Sequence, residues 1–123
     1  YGFKERVDSH KAYKIAPLYK SHSKYGFIEP VKYFVPSIGI SEIVNFKKTT
    51  NKNFFLFGAL GKDPSEGDMS LHLISMDKNF DKLIDHEIVN IGSRIRDIIN
   101  LDDGNFLLSL ETSSTLGLLE KLN

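Results

Sequence analysis

From Ser37 onward the sequence alternates short apolar stretches with polar turns, and no window is long enough for a helix to interrupt that rhythm. The stretches fall at residues 39–46, 54–60, 70–76, 84–89, 94–101, 106–111 and 116–122. Each has the length of an ordinary β-strand and is rich in Ile, Val, Leu and Phe, whose side chains suit a pleated surface. Nowhere do apolar residues recur at i, i+3, i+4 and i+7 over the ~10 residues a helix needs. The pattern predicts an all-β chain.

The turns agree with this reading. Asp102-Asp103-Gly104-Asn105 separates Ile98-Ile99 from Phe106-Leu107-Leu108. Gly104 can adopt positive φ without a Cβ clash, so a tight hairpin is expected there. Asp77-Lys78-Asn79-Phe80-Asp81 and Thr49-Thr50-Asn51-Lys52-Asn53 are similar polar breaks. Residues 1–36 differ: Lys, Tyr, Ser and His dominate, Pro17, Pro30 and Pro36 interrupt, and no apolar period is sustained. A long loop is expected there, with at most one short strand at 31–35.

The strand pattern also repeats. Glu42-Ile43-Val44-Asn45-Phe46, a turn, Asn53-Phe54-Phe55-Leu56 and then Leu71-His72-Leu73 share a layout with a second set. That set is Asp97-Ile98-Ile99-Asn100-Leu101, a turn, Asn105-Phe106-Leu107-Leu108 and then Leu116-Gly117-Leu118. Equivalent positions lie about 45–55 residues apart, the size of a four-stranded propeller blade. Blades are covered on both faces by neighbours, so one or two of them imply further blades beside them. The expectation is the C-terminal blades of a larger β-propeller, a fragment that starts at Tyr1-Gly2-Phe3 without an initiator methionine. In this scheme 1–36 is mostly loop, 37–90 one four-stranded blade and 91–123 part of the next. A seven-stranded β-sandwich is the competing architecture.

Charge and composition exclude several functions. Lys plus Arg and Asp plus Glu are equal at 16 each, so nothing favours nucleic acid or an anionic membrane as partner. Without cysteine the chain has no disulfides, zinc–thiolate sites or cysteine nucleophile. No apolar run approaches the ~20 residues of a membrane-spanning helix. His10, His22, His72 and His86 lack the spacing of a ligand set on one element, so no metal site is assigned. Ser37, Ser41 and Ser113-Ser114 have no nucleophile-elbow context.

Several segments resemble one family in order and spacing. Glu29-Pro30-Val31-Lys32-Tyr33-Phe34-Val35-Pro36-Ser37-Ile38-Gly39-Ile40-Ser41 is similar to the E-P-x-x-x-W-x-P-S-I-A/G-x-S stretch of the quinoprotein glucose/sorbosone dehydrogenases. Phe55-Leu56-Phe57-Gly58-Ala59-Leu60 resembles their L-F-V-G-A/S-L strand. Arg94-Ile95-Arg96-Asp97 with Asp103-Gly104 resembles their R-I-R-D-V…D-G blade, and Tyr1-Gly2-Phe3 their N-Y-G-W element. The resemblance implies a six-bladed propeller that uses pyrroloquinoline quinone (PQQ) to oxidise an aldose, or a related polyol or aldehyde. It also implies a periplasmic or secreted location and a calcium ion under the cofactor. The family's histidine base and most of its calcium site belong to early blades, so no catalytic residue is expected in this piece, which would not work alone.

Three residues are candidates for cofactor contact. Arg94 and Arg96 are two apart, which on a regular strand puts both guanidiniums on one face. Guanidinium binds planar carboxylates in a bidentate manner, the cofactor carries three carboxylates, and the family's R-x-R pair contacts it. The alternative is a surface pair neutralised by Asp97 or Glu111. Lys62 is the third candidate: the family places a lysine directly after its G-A/S-L strand, whereas here Gly61 stands there and Lys62 follows. A solvated loop lysine is the alternative. Phe34 replaces a family tryptophan near the substrate mouth and could stack on a sugar, or simply pack in a core. A family threonine near the end of the R-x-R blade has no clear counterpart in Leu110-Glu111-Thr112.

Two other functions stay open at this point. One is a non-catalytic propeller that binds a protein or glycan. The other is a lactonase-like propeller with a central metal, for which Glu42 and Asp97 occupy comparable strand positions.

Overall fold

The computed structural model describes residues 28, 30–34, 36–101 and 104–122. The chain divides into two compact units, Tyr1–Ser37 and Ile38–Asn123. In the first, residues 31–34 form a bend and irregular backbone instead of the short strand expected at 31–35; Val35 lies outside the described residues. Pro30 and Pro36 bracket this segment and offer no N–H. Among the described residues no strand is paired with it.

The second unit is all β apart from one 3-10 turn at Pro64–Glu66. Its strands are β1 (Ile40–Lys48), β2 (Lys52–Ala59), β3 (Ser70–Asp77), β4 (Leu83–Asn90), β5 (Ile95–Asn100), β6 (Phe106–Leu110) and β7 (Thr115–Leu119). All seven apolar stretches are therefore strands. They form two antiparallel sheets of sequential order, β1-β2-β3-β4 and β5-β6-β7. Among the described residues no strand crosses from one sheet to the other, as Greek-key connections of a sandwich would require. Sequential meanders of this kind are the units from which β-propellers are built.

The sequence repeat has a physical counterpart in the hairpins. The β1–β2 turn closes with Thr49 N–H donating to Lys52 O at 2.8 Å, and the β5–β6 turn with Leu101 N–H donating to Asn105 O at 2.8 Å. Gly104 takes a φ of 85°, as its turn requires; Asp102 and Asp103 lie outside the described residues. Each repeated asparagine lies at or just before the start of the second strand and bonds to the chain at or just beyond the end of the third. Asn53 Nδ2 donates to Asp77 O at 3.0 Å, and Asn105 Oδ1 accepts from Lys121 N at 2.9 Å. The third turn is held by Asp77 Oδ1, which accepts from the N–H groups of Asp81 and Lys82. Phe80 sits in it at a φ of 63°.

The two sheets meet face to face. Leu56 and Leu71 of the first pack with Ile95, Ile98, Phe106 and Leu108 of the second, and Phe46 crosses Phe106 edge-on with centroids 5.3 Å apart. The approach is tight at Gly58, where an added Cβ would stand 2.7 Å from Ile95 Cβ and 2.8 Å from Ser41 Oγ. Only a residue without a side chain lets β5 come this near β2. Ser41 Oγ donates to Ile95 O at 2.6 Å across the same gap, and Ile95 is fully buried. Ile95 is thus clamped between the sheets, with an arginine on each side of it in sequence.

A β-bulge in β5 completes the arrangement. Ile95 pairs with Leu110 but Asp97 with Ser109, so one extra residue is inserted between them. Ile95 and Ile98, three apart, consequently share the buried face, while Arg96 and Asp97 are both exposed. Simple alternation does not hold here, although the two arginines still reach a common point.

Candidate anion-binding site

That common point is Glu111, the first residue after β6. Its N–H donates to Arg94 O at 2.8 Å, and Arg94 N–H donates to Thr112 Oγ1 at 3.2 Å, which fixes the start of β5 against the end of β6. The side chains then converge. Arg94 Nη1 donates to Glu111 Oε1 at 2.8 Å, and Arg96 Nε donates to Glu111 Oε2. One carboxylate thus bridges two guanidiniums, each bonded to its own oxygen. Arg94 is anchored a second time, from Nε to the carbonyl of Leu60 at 2.6 Å. Leu60 directly follows β2, so the anchor ties the arginine to the other sheet.

Lys62 joins the group from the exposed loop after Leu60. Arg96's hydrogen bond holds the Glu111 carboxyl below the usual carboxylate range, and the nearby charges of Arg94, Arg96 and Lys62 act in the same direction. Two guanidiniums therefore share one carboxylate, with the charge of Lys62 acting on it from farther away. Of the three residues singled out from the sequence, Arg94 and Arg96 meet on Glu111, while Lys62 stands in the exposed loop nearby. Of the two neutralising partners considered for the arginines, Glu111 is the one engaged. Asp97 instead accepts from the N–H of Ile98 through Oδ1.

Donor capacity remains at the site. Among the described residues, Arg94 Nη2, both terminal nitrogens of Arg96 and Lys62 Nζ have no hydrogen-bond partner. The side chain of Arg96 is 53% exposed and that of Arg94 27%. Planar N–H donors and an ammonium suit a carboxylate, and Glu111 shows one held between the guanidiniums.

The loop after β2 leaves no room for a side chain at residue 61. A Cβ on Gly61 would lie 1.9 Å from the carboxylate of Asp68. Asp68 is buried and accepts from the N–H of Asp63 at 2.8 Å, so its side chain holds this loop in shape and fills the space beside residue 61. A lysine at 61 is incompatible with that packing, whereas Lys62 is exposed.

Phe34 belongs to the Tyr1–Ser37 unit, where it is half-buried and Lys32 Nζ stands 5.3 Å from its ring centroid. Glu42 and Asp97 are both exposed. Among the described residues no group of three His, Asp or Glu side chains is placed to hold a metal ion.

Spacing along single elements missed one polar cluster. His72 Nδ1 lies 2.9 Å from His86 Nε2 across β3 and β4, and the His72 ring stacks on Phe57 at 4.7 Å. His72 Nε2 is 2.7 Å from Gly67 O, which can only accept, so Nε2 carries the proton. Nδ1 of the neutral ring then accepts from His86. The β3–β4 register would have revealed the pair, because Ile74 faces His86 and His72 faces Ile88. Burial lowers the pKa of His72, against the opposing pull of the Gly67 carbonyl and of Asp68.

A lowered pKa in the folded state means that the unfolded chain binds the extra proton first. His72 therefore contributes stability that is complete above about pH 6.5 and is lost as pH falls through its depressed folded-state value. The expected result is a urea midpoint lower at pH 5.5 than at pH 7.5, with a smaller difference in His72→Gln. An equal difference in both proteins would remove His72 as the cause.

Among the described residues no helix is long and apolar enough to cross a membrane. No curated protein and no solved structure matched the chain. Residues 1–119 do match the family described as Glucose / Sorbosone dehydrogenase, which covers both sheets and Arg94, Arg96 and Lys62. The chain belongs to the glucose/sorbosone dehydrogenase family.

Proposed function

We propose that the chain is part of a PQQ-dependent sugar dehydrogenase in which Arg94, Arg96 and Lys62 hold a carboxylate of the cofactor. The observation that carries this reading is the Glu111 carboxylate bonded by both guanidiniums, with further N–H donors left open around it. The quinone, when bound, supplies the acceptor for a hydride from the C1 hydroxyl of an aldose, or from a related polyol or aldehyde. The work of these residues is to bind and orient. Arg94, braced by Leu60 O and by its position beside the buried Ile95, is the fixed donor. Arg96 and Lys62 are the exposed ones that meet an incoming anion. Phe34 offers an aromatic face to the sugar.

In this reading residues 37–90 form one blade and 91–123 part of the next, in a six-bladed ring located in the periplasm or outside the cell. The remaining blades would cover the apolar side chains exposed on the outer strands. Among these are Ile84 and Ile88 on β4 and Leu116 and Leu118 on β7, all at least 46% exposed. The catalytic base and calcium site would lie in those blades.

A second reading, a non-catalytic propeller that binds a protein or glycan, draws its support from Glu111, which already neutralises part of the basic cluster. Reconstitution of the full-length protein with PQQ and calcium separates the two. The dehydrogenase reading expects sugar-dependent reduction of a dye acceptor that requires the cofactor. PQQ-independent inertness toward every aldose, polyol and aldehyde tried would favour the binding module.

A further inference from the structure

Glu111 occupies the space between the two guanidiniums that an external carboxylate would need. Both of its oxygens are engaged, one by each arginine. Its backbone is pinned through the N–H bond to Arg94 O, so the chain holds the carboxylate at high effective concentration beside its donors. Its carboxyl is held in the ionised form by those same cations. Yet the side chain is 32% exposed and hangs from a turn, and among the described residues only the two arginines hold its oxygens. It can swing out without unmaking a strand.

We infer that Glu111 is an internal competitor that decides which anions the Arg94–Arg96–Lys62 site accepts. A ligand with one carboxylate competes poorly against a tethered one. A rigid ligand with several carboxylates can displace Glu111 from Arg96 and still engage Lys62 and the free nitrogen of Arg94. The site therefore selects planar polycarboxylates and rejects monocarboxylates such as acetate. This inference rests on the reading that the three cations bind a carboxylate of the cofactor, and it adds the residue that sets the strength and selectivity of that binding.

The test is a calorimetric titration of the full-length protein and of Glu111→Gln with three probes: PQQ, benzene-1,3,5-tricarboxylate and acetate. Removing the competing charge is expected to tighten both polycarboxylates by about tenfold or more and to bring acetate into the measurable range. A purely structural role would move affinity in the opposite direction, because unbraced arginines bind less well. Unchanged or weaker binding in Glu111→Gln, with PQQ still bound by the unaltered protein, overturns the inference and leaves the cofactor reading standing. Absence of PQQ binding in both proteins overturns the two together. Should Glu111→Gln fail to fold, Glu111→Asp, one methylene too short to bridge both guanidiniums, carries the same expected direction.

Discussion

Replacing Ile95 with alanine is expected to lower the unfolding free energy by about 2–5 kcal/mol, a large share of the ~5–15 kcal/mol that holds a domain together. Ile95 is fully buried between the two sheets, against Gly58 on one side and within the cluster of Ile98, Phe106 and Leu108 on the other. The cavity cannot close easily, because the backbone there is already fixed by Ser41 Oγ and by the β5–β6 ladder. The urea midpoint should fall with an unchanged slope. Ile95→Val, which removes a single methylene, should cost only about 0.5–1.5 kcal/mol. A loss below about 1 kcal/mol in the alanine variant would show that the sheets are not held together at this point.

Much of this arrangement was legible in the residues. All seven strands followed from short Ile/Val/Leu/Phe stretches between turn residues, because strand length and turn chemistry are local properties. The repeat was legible for a similar reason: Asn53 and Asn105 each tie their turn to the far end of the sheet's third strand, one as donor and the other as acceptor. The segment at 31–35 misled because its residue types suit a strand, but a strand also needs a partner, none pairs with it among the described residues, and flanking prolines remove donors. The β5 bulge left no plain mark in the sequence. Arg94 and Arg96 meet on one carboxylate through a register shift, and the alternation that first suggested their convergence is broken there.

The site was half legible. Arg94, Arg96 and Lys62 stood out by residue type and family resemblance, whereas the centre of the cluster, Glu111, entered only as one of two candidate counter-ions. Distinguishing it from Asp97 needed the β5–β6 pairing, which sets Glu111 N against Arg94 O and leaves Asp97 bonded to its own neighbour. The His72–His86 pair escaped because its members lie on different strands, so no spacing within one element could reveal it.

The second large effect concerns binding. Arg94→Gln together with Arg96→Gln should weaken PQQ by about a hundredfold, since each charge-assisted pairing is worth roughly tenfold or more. The single variants should differ. Arg94→Gln also loses the anchor to Leu60 O, so its effect should include a measurable loss of thermal stability. Arg96→Gln, at an exposed bulge position, should weaken the cofactor with little change in stability. Lys62→Gln should give the smallest loss, because a flexible exposed ammonium contributes mainly long-range attraction. Equal cofactor affinity in the double variant and the unaltered protein would remove these arginines from the site.

The most direct measurement is a structure of the full-length protein with PQQ bound. The account predicts a cofactor carboxylate within hydrogen-bonding distance of the Arg96 guanidinium, with the Glu111 side chain turned away from at least one arginine. A cofactor seated elsewhere, with Glu111 still bridging Arg94 and Arg96, would contradict it.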